Sequence, residues 1–273
     1  MEKVKGGLGR LCAAPHIVWS VLFIIAPLIF VVYYTFTTPE GGFTFDNIFA
    51  LKEHMGTFAL SVSLSVIATF ICFVVGYPLA YIIAQSGEKS QKIMITLVML
   101  PMWTNLLIRT YSMMAIMDDG GFLNTVLGYL NLGKVHLIGT KGAVIFGMVY
   151  DFLPYMVLPI YTTISKLDSS LTEAAADLGC NKIRALTKVV LPLSASGIIS
   201  GITMVFVPSI STFYISQKLG GGTFELIGDT IERQFQNSVT YNVGAAISLV
   251  MMVLVLISLA IMNKFADEKG GDN

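Results

Sequence analysis

Long apolar runs, separated by shorter polar segments, dominate the hydrophobic pattern of the chain. A helix that crosses a bilayer needs about 20 mostly apolar residues, because the hydrocarbon core is about 30 Å thick and each helical residue rises about 1.5 Å. Six runs meet this requirement, and the first is too long for a cleaved secretion signal. The pattern therefore predicts an all-α membrane protein with six transmembrane helices, at about 17–36, 57–84, 93–116, 141–164, 193–214 and 241–262.

The composition agrees with this class. Hydrophobic residues make up 55% of the chain and charged residues only 12%, whereas a soluble domain carries about 25% charged residues. The formal net charge is zero, so the sequence has no basic footprint for nucleic acid. We expect no nucleic-acid partner.

The basic residues predict the orientation, because cytosolic segments carry an excess of Lys and Arg. With the N-terminus inside, the segments on that side hold 11 of the 17 basic residues and the outer loops hold five. The last one, Arg109, lies about 27 Å up its predicted helix, where snorkelling to the outer interface is expected. This bias predicts that both termini and the polar segment 165–192 are cytosolic.

The segment 165–192 contains a spaced motif between two apolar spans. It reads Glu173-Ala174-Ala175, three residues, Gly179, nine residues, Val189, one residue, then Leu191-Pro192. Ser170-Leu171-Thr172-Glu173 has the form of a capping box, and Gly179 is placed to end the helix in a left-handed conformation. We expect a short, stiff helix, followed near 182–190 by an interfacial helix whose apolar face holds Ile183, Leu186, Val189 and Val190.

This spacing resembles the EAA loop of bacterial ABC importer permeases, in which isoleucine stands where Val189 stands here. We use the name EAA loop for residues 165–192. The resemblance implies a type I ABC importer permease fold and a loop that docks on a separate ATPase subunit. The implied ATPase-coupling residues are Glu173, Ala174, Ala175, Asp177, Gly179, Leu191 and Pro192.

The chain carries no GxxxxGK[ST] sequence, so it has no P-loop for nucleotide. It is therefore not expected to be an enzyme or to hold a cofactor itself, and ATP and Mg²⁺ are expected on the partner ATPase. The implied domains are a tail with the first span and outer loop (1–56), an ABC transmembrane type-1 domain (57–262) and a cytosolic tail (263–273).

Further stretches narrow the resemblance. Segment 101–111, PMWTNLLIRTY, and segment 153–161, LPYMVLPIY, are similar to the B-type permeases of spermidine/putrescine importers, and the likeness covers roughly 17–262. It implies a permease subunit in the bacterial cell membrane that forms the translocation pathway for polyamines. The implied partners are a second, C-type permease, an ATPase dimer and an external substrate-binding protein.

A polyamine carries several ammonium groups on apolar spacers, so it favours carboxylates and aromatic faces along its path. Asp151 is the only acid predicted deep in the bilayer, and membrane acids usually mark pathways or buried pairs. A path contact and a structural pair, with Arg109 or a backbone donor, both remain open for Asp151. The candidate path residues are Asp151, Tyr150, Tyr155, Trp103, Asn105 and Tyr111, and packing or interfacial anchoring is an alternative for Trp103 and Tyr111.

Three alternatives remain open at this point. Related importers of iron, thiamine or phosphonates share the loop, so the loop does not select the cargo. An ion-coupled secondary transporter would explain the spans and Asp151 but not the loop. A membrane-embedded enzyme is disfavoured, because no serine with a partnered histidine and no acid or metal-ligand cluster lies in the predicted spans.

Overall fold

The computed structural model describes residues 15–270, except the side chains at 169, 172, 176, 182 and 265–270. The basic residues Lys3, Lys5 and Arg10 of the predicted N-terminal tail lie outside the described residues. Within 15–270 the elements are helices, joined by turns and one isolated bridge between Thr37 and Phe43. In chain order the helices are α1 (Pro15–Thr35), α2 (Met55–Ala84, preceded by Asp46–Phe49 and a 3₁₀ turn Ala50–His54), α3 (Glu88–Met99, extended by a 3₁₀ turn Leu100–Trp103), α4 (Leu106–Met117), α5 (Phe122–Tyr129), α6 (Lys141–Ile164), α7 (Ser169–Asp177), α8 (182–193), α9 (Ala195–Ser211), α10 (Tyr214–Leu219), α11 (Ile227–Gln236) and α12 (Tyr241–Gly270).

Four of the six predicted spans are single helices. These are α1, α2, α6 and α12, and α6 has the predicted bounds of 141–164. The third span differs from the prediction, because α3 and its 3₁₀ turn meet the α4–α5 segment at 94°. The fifth span is α9, and its 72° bend against α8 lies at the predicted start of that span, just after the predicted interfacial helix.

The bend of the third span has a local cause. Thr104 and Asn105 take extended backbone conformations after the turn that contains Pro101. The Asn105 side chain then accepts a hydrogen bond from the Leu107 amide at 2.8 Å and caps α4. A single helix over 93–116 was therefore wrong, because a proline and an N-cap divide this segment.

Two wide π turns share one cause. Val21–Ile25 in α1 and Leu186–Val190 in α8 each end two residues before a helical proline, Pro27 or Pro192. A proline has no amide hydrogen, and its ring clashes with the carbonyl four residues earlier. Widening the preceding turn relieves that clash without breaking the helix.

Contacts divide the chain into two compact units. The smaller unit comprises 15–55 and 230–254 of the described residues. Two buried amides organise its polar backbone: Asn47 donates to the carbonyls of Thr35 and Thr37, each at 3.0 Å, and Asn242 donates to the carbonyls of Tyr34 and Thr37. These amides close the turn after α1 and satisfy carbonyls that would otherwise be left at a helix end.

The larger unit comprises 56–229 and 255–270 of the described residues, and α6 is central to it. One apolar cluster joins α2, α4, α6 and α10, and a second joins α2, α6, α8 and α9. Gly197 and Gly201, a pair of small residues four positions apart in α9, face α6. An added Cβ at Gly197 would lie 2.5 Å from the Thr163 hydroxyl, and one at Gly201 would lie 2.8 Å from the Met156 sulfur. The partner helix of this glycine pair is therefore within the chain.

Candidate functional site

The EAA loop begins with a carboxylate cap on α7. Asp168 precedes the first helical residue, and its Oδ1 accepts a hydrogen bond from the Ser170 amide at 2.9 Å. Hydrogen bonds from the backbone and side chain of Ser170 lower the pKa of the Asp168 carboxyl below its ordinary value. The predicted capping box was wrong in its cap residue, because Ser170 lies inside the helix and Asp168 fills the N-cap role.

The other end of α7 has the predicted glycine stop. Gly179 has φ +79°, in the left-handed region where a side chain adds strain. The Cys180 amide donates to the Ala175 carbonyl at 3.0 Å, which satisfies one of the last carbonyls of the helix. Both ends of α7 are therefore fixed by residues of the loop itself.

The helix α8 follows at once and leads into the membrane span. Asn181 caps it by accepting from the Arg184 amide at 2.8 Å. Ala185 and Val190 are buried, whereas Ile183 is 71% exposed. The buried stripe of α8 passes through Ala185, Leu186 and Val190, whereas Ile183 of the predicted apolar face is free to contact lipid or another protein.

A buried hydrogen bond holds the bend between α8 and α9. Ser194 lies at this bend, and its hydroxyl is 3.1 Å from the Tyr77 hydroxyl of α2. The Ser194 hydroxyl is also 3.2 Å from the Leu191 carbonyl, to which it donates. A motion of the loop can therefore reach α9 through a fixed corner rather than through a flexible linker.

The predicted coupling residues differ in accessibility. Six of them are exposed on the loop: Glu173, Ala174, Asp177, Gly179, Leu191 and Pro192. Ala175 differs, because its side chain is only 7% exposed and packs inside the loop. The sequence reasoning did not single out Leu178, which is 86% exposed. An apolar side chain held in that position at a helix end is a candidate contact for a protein partner.

A second constellation lies between α4 and α6. Nη1 of Arg109 is 3.0 Å from Oδ1 of Asp151, and the Asp151 side chain is only 2% exposed. Arg109 therefore forms a buried ion pair, and the expected snorkelling to the interface was wrong. A charged group inside the bundle is less costly beside an opposite charge than alone.

A cavity of about 360 Å³ lies beside this ion pair. Arg109 and Tyr150 line it, together with Thr104, Ile108, Ser112, Met113, Ile116, Met117 and Phe146. Two of the predicted path residues therefore lie at this cavity. Tyr150 lines it, and Asp151 is connected to it through Arg109.

The other predicted path residues lie outside the lining of this cavity. Asn105 caps α4, Trp103 is 70% exposed in the preceding turn, and Tyr155 packs with Phe152 at a ring distance of 6.3 Å. The sequence reasoning also missed the environment of Tyr111, whose ring lies 6.3 Å from that of Tyr214. Lys218 lies over both rings, with its Nζ 5.2 Å from the centroid of Tyr111.

Comparison with known proteins identifies the family. Residues 76–268 match the family described as "Binding-protein-dependent transport system inner membrane component". The chain belongs to this family. The matched region contains the EAA loop, the Arg109–Asp151 pair and the bend at Ser194. The family description names an inner membrane component, and together with the apolar helices it makes the chain a multi-pass membrane protein.

Curated relatives match nearly the whole chain. The "Spermidine/putrescine transport system permease protein PotB" of Haemophilus influenzae is 34% identical over 283 residues, covering 98% of this chain and 99% of the relative. The protein of the same name from Escherichia coli K12 is 35% identical over 253 residues, covering 89% and 92% of the two chains.

Solved structures agree with the fold. A chain of a bacterial ABC transporter involved in the import of the acidic polysaccharide alginate has a TM-score of 0.81 and 18% identity, covering 96% of this chain and 95% of that one. A chain of the MetNI methionine ABC transporter has a TM-score of 0.60 and 15% identity, covering 79% and 95%. The observed arrangement of helices, with its two bent pairs, is therefore an ABC importer permease fold.

Proposed function

We propose that this protein is the membrane-spanning permease subunit of an ATP-driven polyamine importer. It forms part of the pathway for spermidine or putrescine, which an external binding protein delivers. The observation that carries this proposal is the similarity to spermidine/putrescine permeases along 98% of the chain. The proposal places both termini and the EAA loop in the cytosol, where ATP is available.

The EAA loop is the proposed contact with the ATPase. Its helix α7 is short, capped at both ends and exposed at Glu173, Ala174, Asp177 and Leu178. A helix with fixed ends transmits force as a rigid body, and the buried corner at Ser194 connects it to α9. ATP and Mg²⁺ bind to the ATPase dimer in this arrangement, and a second permease completes the pathway.

Two of the proposed path residues lie at the cavity between α4 and α6. Asp151 supplies a carboxylate, and Tyr150 supplies an aromatic face in the cavity wall. A carboxylate beside an aromatic ring suits an ammonium group on an apolar chain. Tyr111, Tyr155, Trp103 and Asn105 remain candidates for other stages of the pathway.

Reconstitution tests the proposal directly. The four-component complex in proteoliposomes is supplied with labelled spermidine, ATP inside and loaded binding protein outside. We expect uptake that requires ATP and survives an ionophore. Uptake of iron, thiamine or a phosphonate instead of spermidine would refute the cargo, and uptake that needs an ion gradient rather than ATP would refute the importer class.

A further inference from the structure

The Arg109 side chain, in the cavity wall, separates the Asp151 carboxylate from the cavity. Arg109 lines the cavity of about 360 Å³, whereas Asp151 is 2% exposed and is absent from the lining. A cation that enters the cavity therefore meets the Arg109 side chain before it meets the Asp151 carboxylate. Cavities of about 300–1,000 Å³ commonly hold small molecules, so the space is adequate for part of an amine.

The pair is incompletely satisfied. The only close contact between the two charged groups is the 3.0 Å approach of Arg109 Nη1 to Asp151 Oδ1. Both oxygens of Asp151 and Nε and Nη1 of Arg109 are buried and make no hydrogen bond among the described residues, so the 3.0 Å approach is an ion pair without hydrogen-bond geometry. Stable buried ion pairs normally use both carboxylate oxygens and further hydrogen bonds. This contact leaves both buried carboxylate oxygens available to a new hydrogen-bond donor.

The cavity wall is suited to an alkyl ammonium ion. Phe146 and Tyr150 provide aromatic rings, and Ser112 and Thr104 provide hydroxyl groups. An ammonium group carries three donors, so it can bind both Asp151 oxygens or one oxygen and a hydroxyl. Its methylene chain would then lie against the aromatic rings.

We infer that Arg109 is an internal substitute for the substrate cation: its guanidinium neutralises Asp151 in the empty permease, and an entering polyamine ammonium displaces it. This inference rests on the proposed function and adds a residue and an exchange step to it. The exchange keeps the buried carboxylate paired throughout, whereas the released guanidinium loses its counter-ion and takes its charge into the cavity. Because the released Arg109 side chain must move into the cavity, its position reports whether a cation is bound.

Three variants test this exchange: Arg109→Gln, Asp151→Asn and the double variant. In Arg109→Gln the carboxylate lacks its internal partner, so spermidine becomes its counter-ion. We expect spermidine to raise the Tm of the detergent-solubilised complex, without binding protein, by more in Arg109→Gln than in the unmodified complex. We expect no spermidine-dependent Tm shift in the other two variants. Lys134→Gln, at an exposed loop position, is the matched control for loss of one positive charge.

Transport gives the second readout. With saturating loaded binding protein, we expect the double variant to lose at least 10-fold in spermidine uptake, although its buried pair is neutral and cannot destabilise the bundle by charge. Uptake by the double variant within twofold of the unmodified complex would overturn the inference and leave a structural pair. That outcome differs from failure of the proposed function, in which the unmodified complex itself takes up no spermidine. If Arg109→Gln does not assemble, spermidine uptake by the double variant still distinguishes the exchange from a structural pair.

Discussion

The EAA loop and the α6–α9 helix pair each depend on glycine, but for different physical reasons. Gly179 has φ +79° and open space around its Cα, so its own backbone conformation requires it. Gly197 has ordinary helical geometry, but an added Cβ would lie 2.8 Å from the Pro159 carbonyl and 2.5 Å from the Thr163 hydroxyl. The loop is therefore specified locally, whereas the helix pair is specified by residues far away in sequence.

This difference explains what could be read from the sequence. The caps and stop of α7 act over a few residues, so the motif predicted its extent to within two residues, although it named Ser170 rather than Asp168 as the cap. The Arg109–Asp151 pair joins residues 42 positions apart, so the sequence offered Arg109 only as one of several possible partners for Asp151. The bend at Asn105 was missed because hydropathy counts apolar length and does not detect a change of direction, whereas the bend at Ser194 agrees with the interfacial helix predicted before the fifth span.

The largest effect is expected at the packed glycine. Gly197→Val places a branched side chain against the Thr163 hydroxyl and the Pro159 carbonyl of α6. Overpacking of this kind typically costs about 1–3 kcal/mol, and here part of the obstacle is backbone that cannot rotate away. We expect little assembled complex by size-exclusion chromatography.

Gly128→Ala is the matched control for this substitution. Gly128 lies in helix α5, where an added Cβ meets open space. Alanine is favoured over glycine in a helix interior by about 0.5–1 kcal/mol, so this variant should assemble normally. Equal assembly of Gly197→Val and Gly128→Ala would contradict the close approach of α6 and α9.

The next effect separates coupling from folding. Gly179→Val forces a β-branched residue into the left-handed region, which costs about 1–2 kcal/mol. Because an added Cβ at Gly179 meets open space, we expect normal membrane assembly but uptake reduced at least 10-fold, measured with labelled spermidine. Gly179→Asn tolerates the same φ and should retain most uptake. If both variants transported alike, the conformation of Gly179 would have no part in coupling.

A smaller effect is expected at the corner between α8 and α9. Tyr77→Phe removes the buried hydrogen bond to Ser194, which was 3.1 Å long, while Ser194 keeps its bond to the Leu191 carbonyl. A neutral hydrogen bond contributes about 0.5–1.5 kcal/mol net, so a decrease of a few degrees in Tm and a lower ratio of uptake to ATP hydrolysis are expected. Tyr81→Phe, one turn away, is the control. A ratio unchanged in both variants would remove the corner from the coupling path.

The smallest effect concerns pH at the α7 cap. The pKa of Asp168 is lowered by hydrogen bonds from Ser170, so its cap stabilises the helix above the ordinary Asp pKa. That contribution is lost as the pH falls through the lowered pKa, because the protonated carboxyl is a weaker acceptor. Asp168→Asn does not titrate and still caps, so its amide protection at 169–173 should depend less on acid pH in hydrogen exchange. Identical pH profiles for the two proteins would contradict the cap.

Disulfide cross-linking measures the contact between α7 and the ATPase most directly. Leu178→Cys, at a side chain that is 86% exposed, is compared with Tyr129→Cys, at one that is 85% exposed, after replacement of Cys12, Cys72 and Cys180. In the assembled complex with single cysteines on the ATPase cleft, we predict that position 178 cross-links to the ATPase and that position 129 does not. A cross-link from position 129 alone would place the EAA loop on the other side of the membrane and contradict the account.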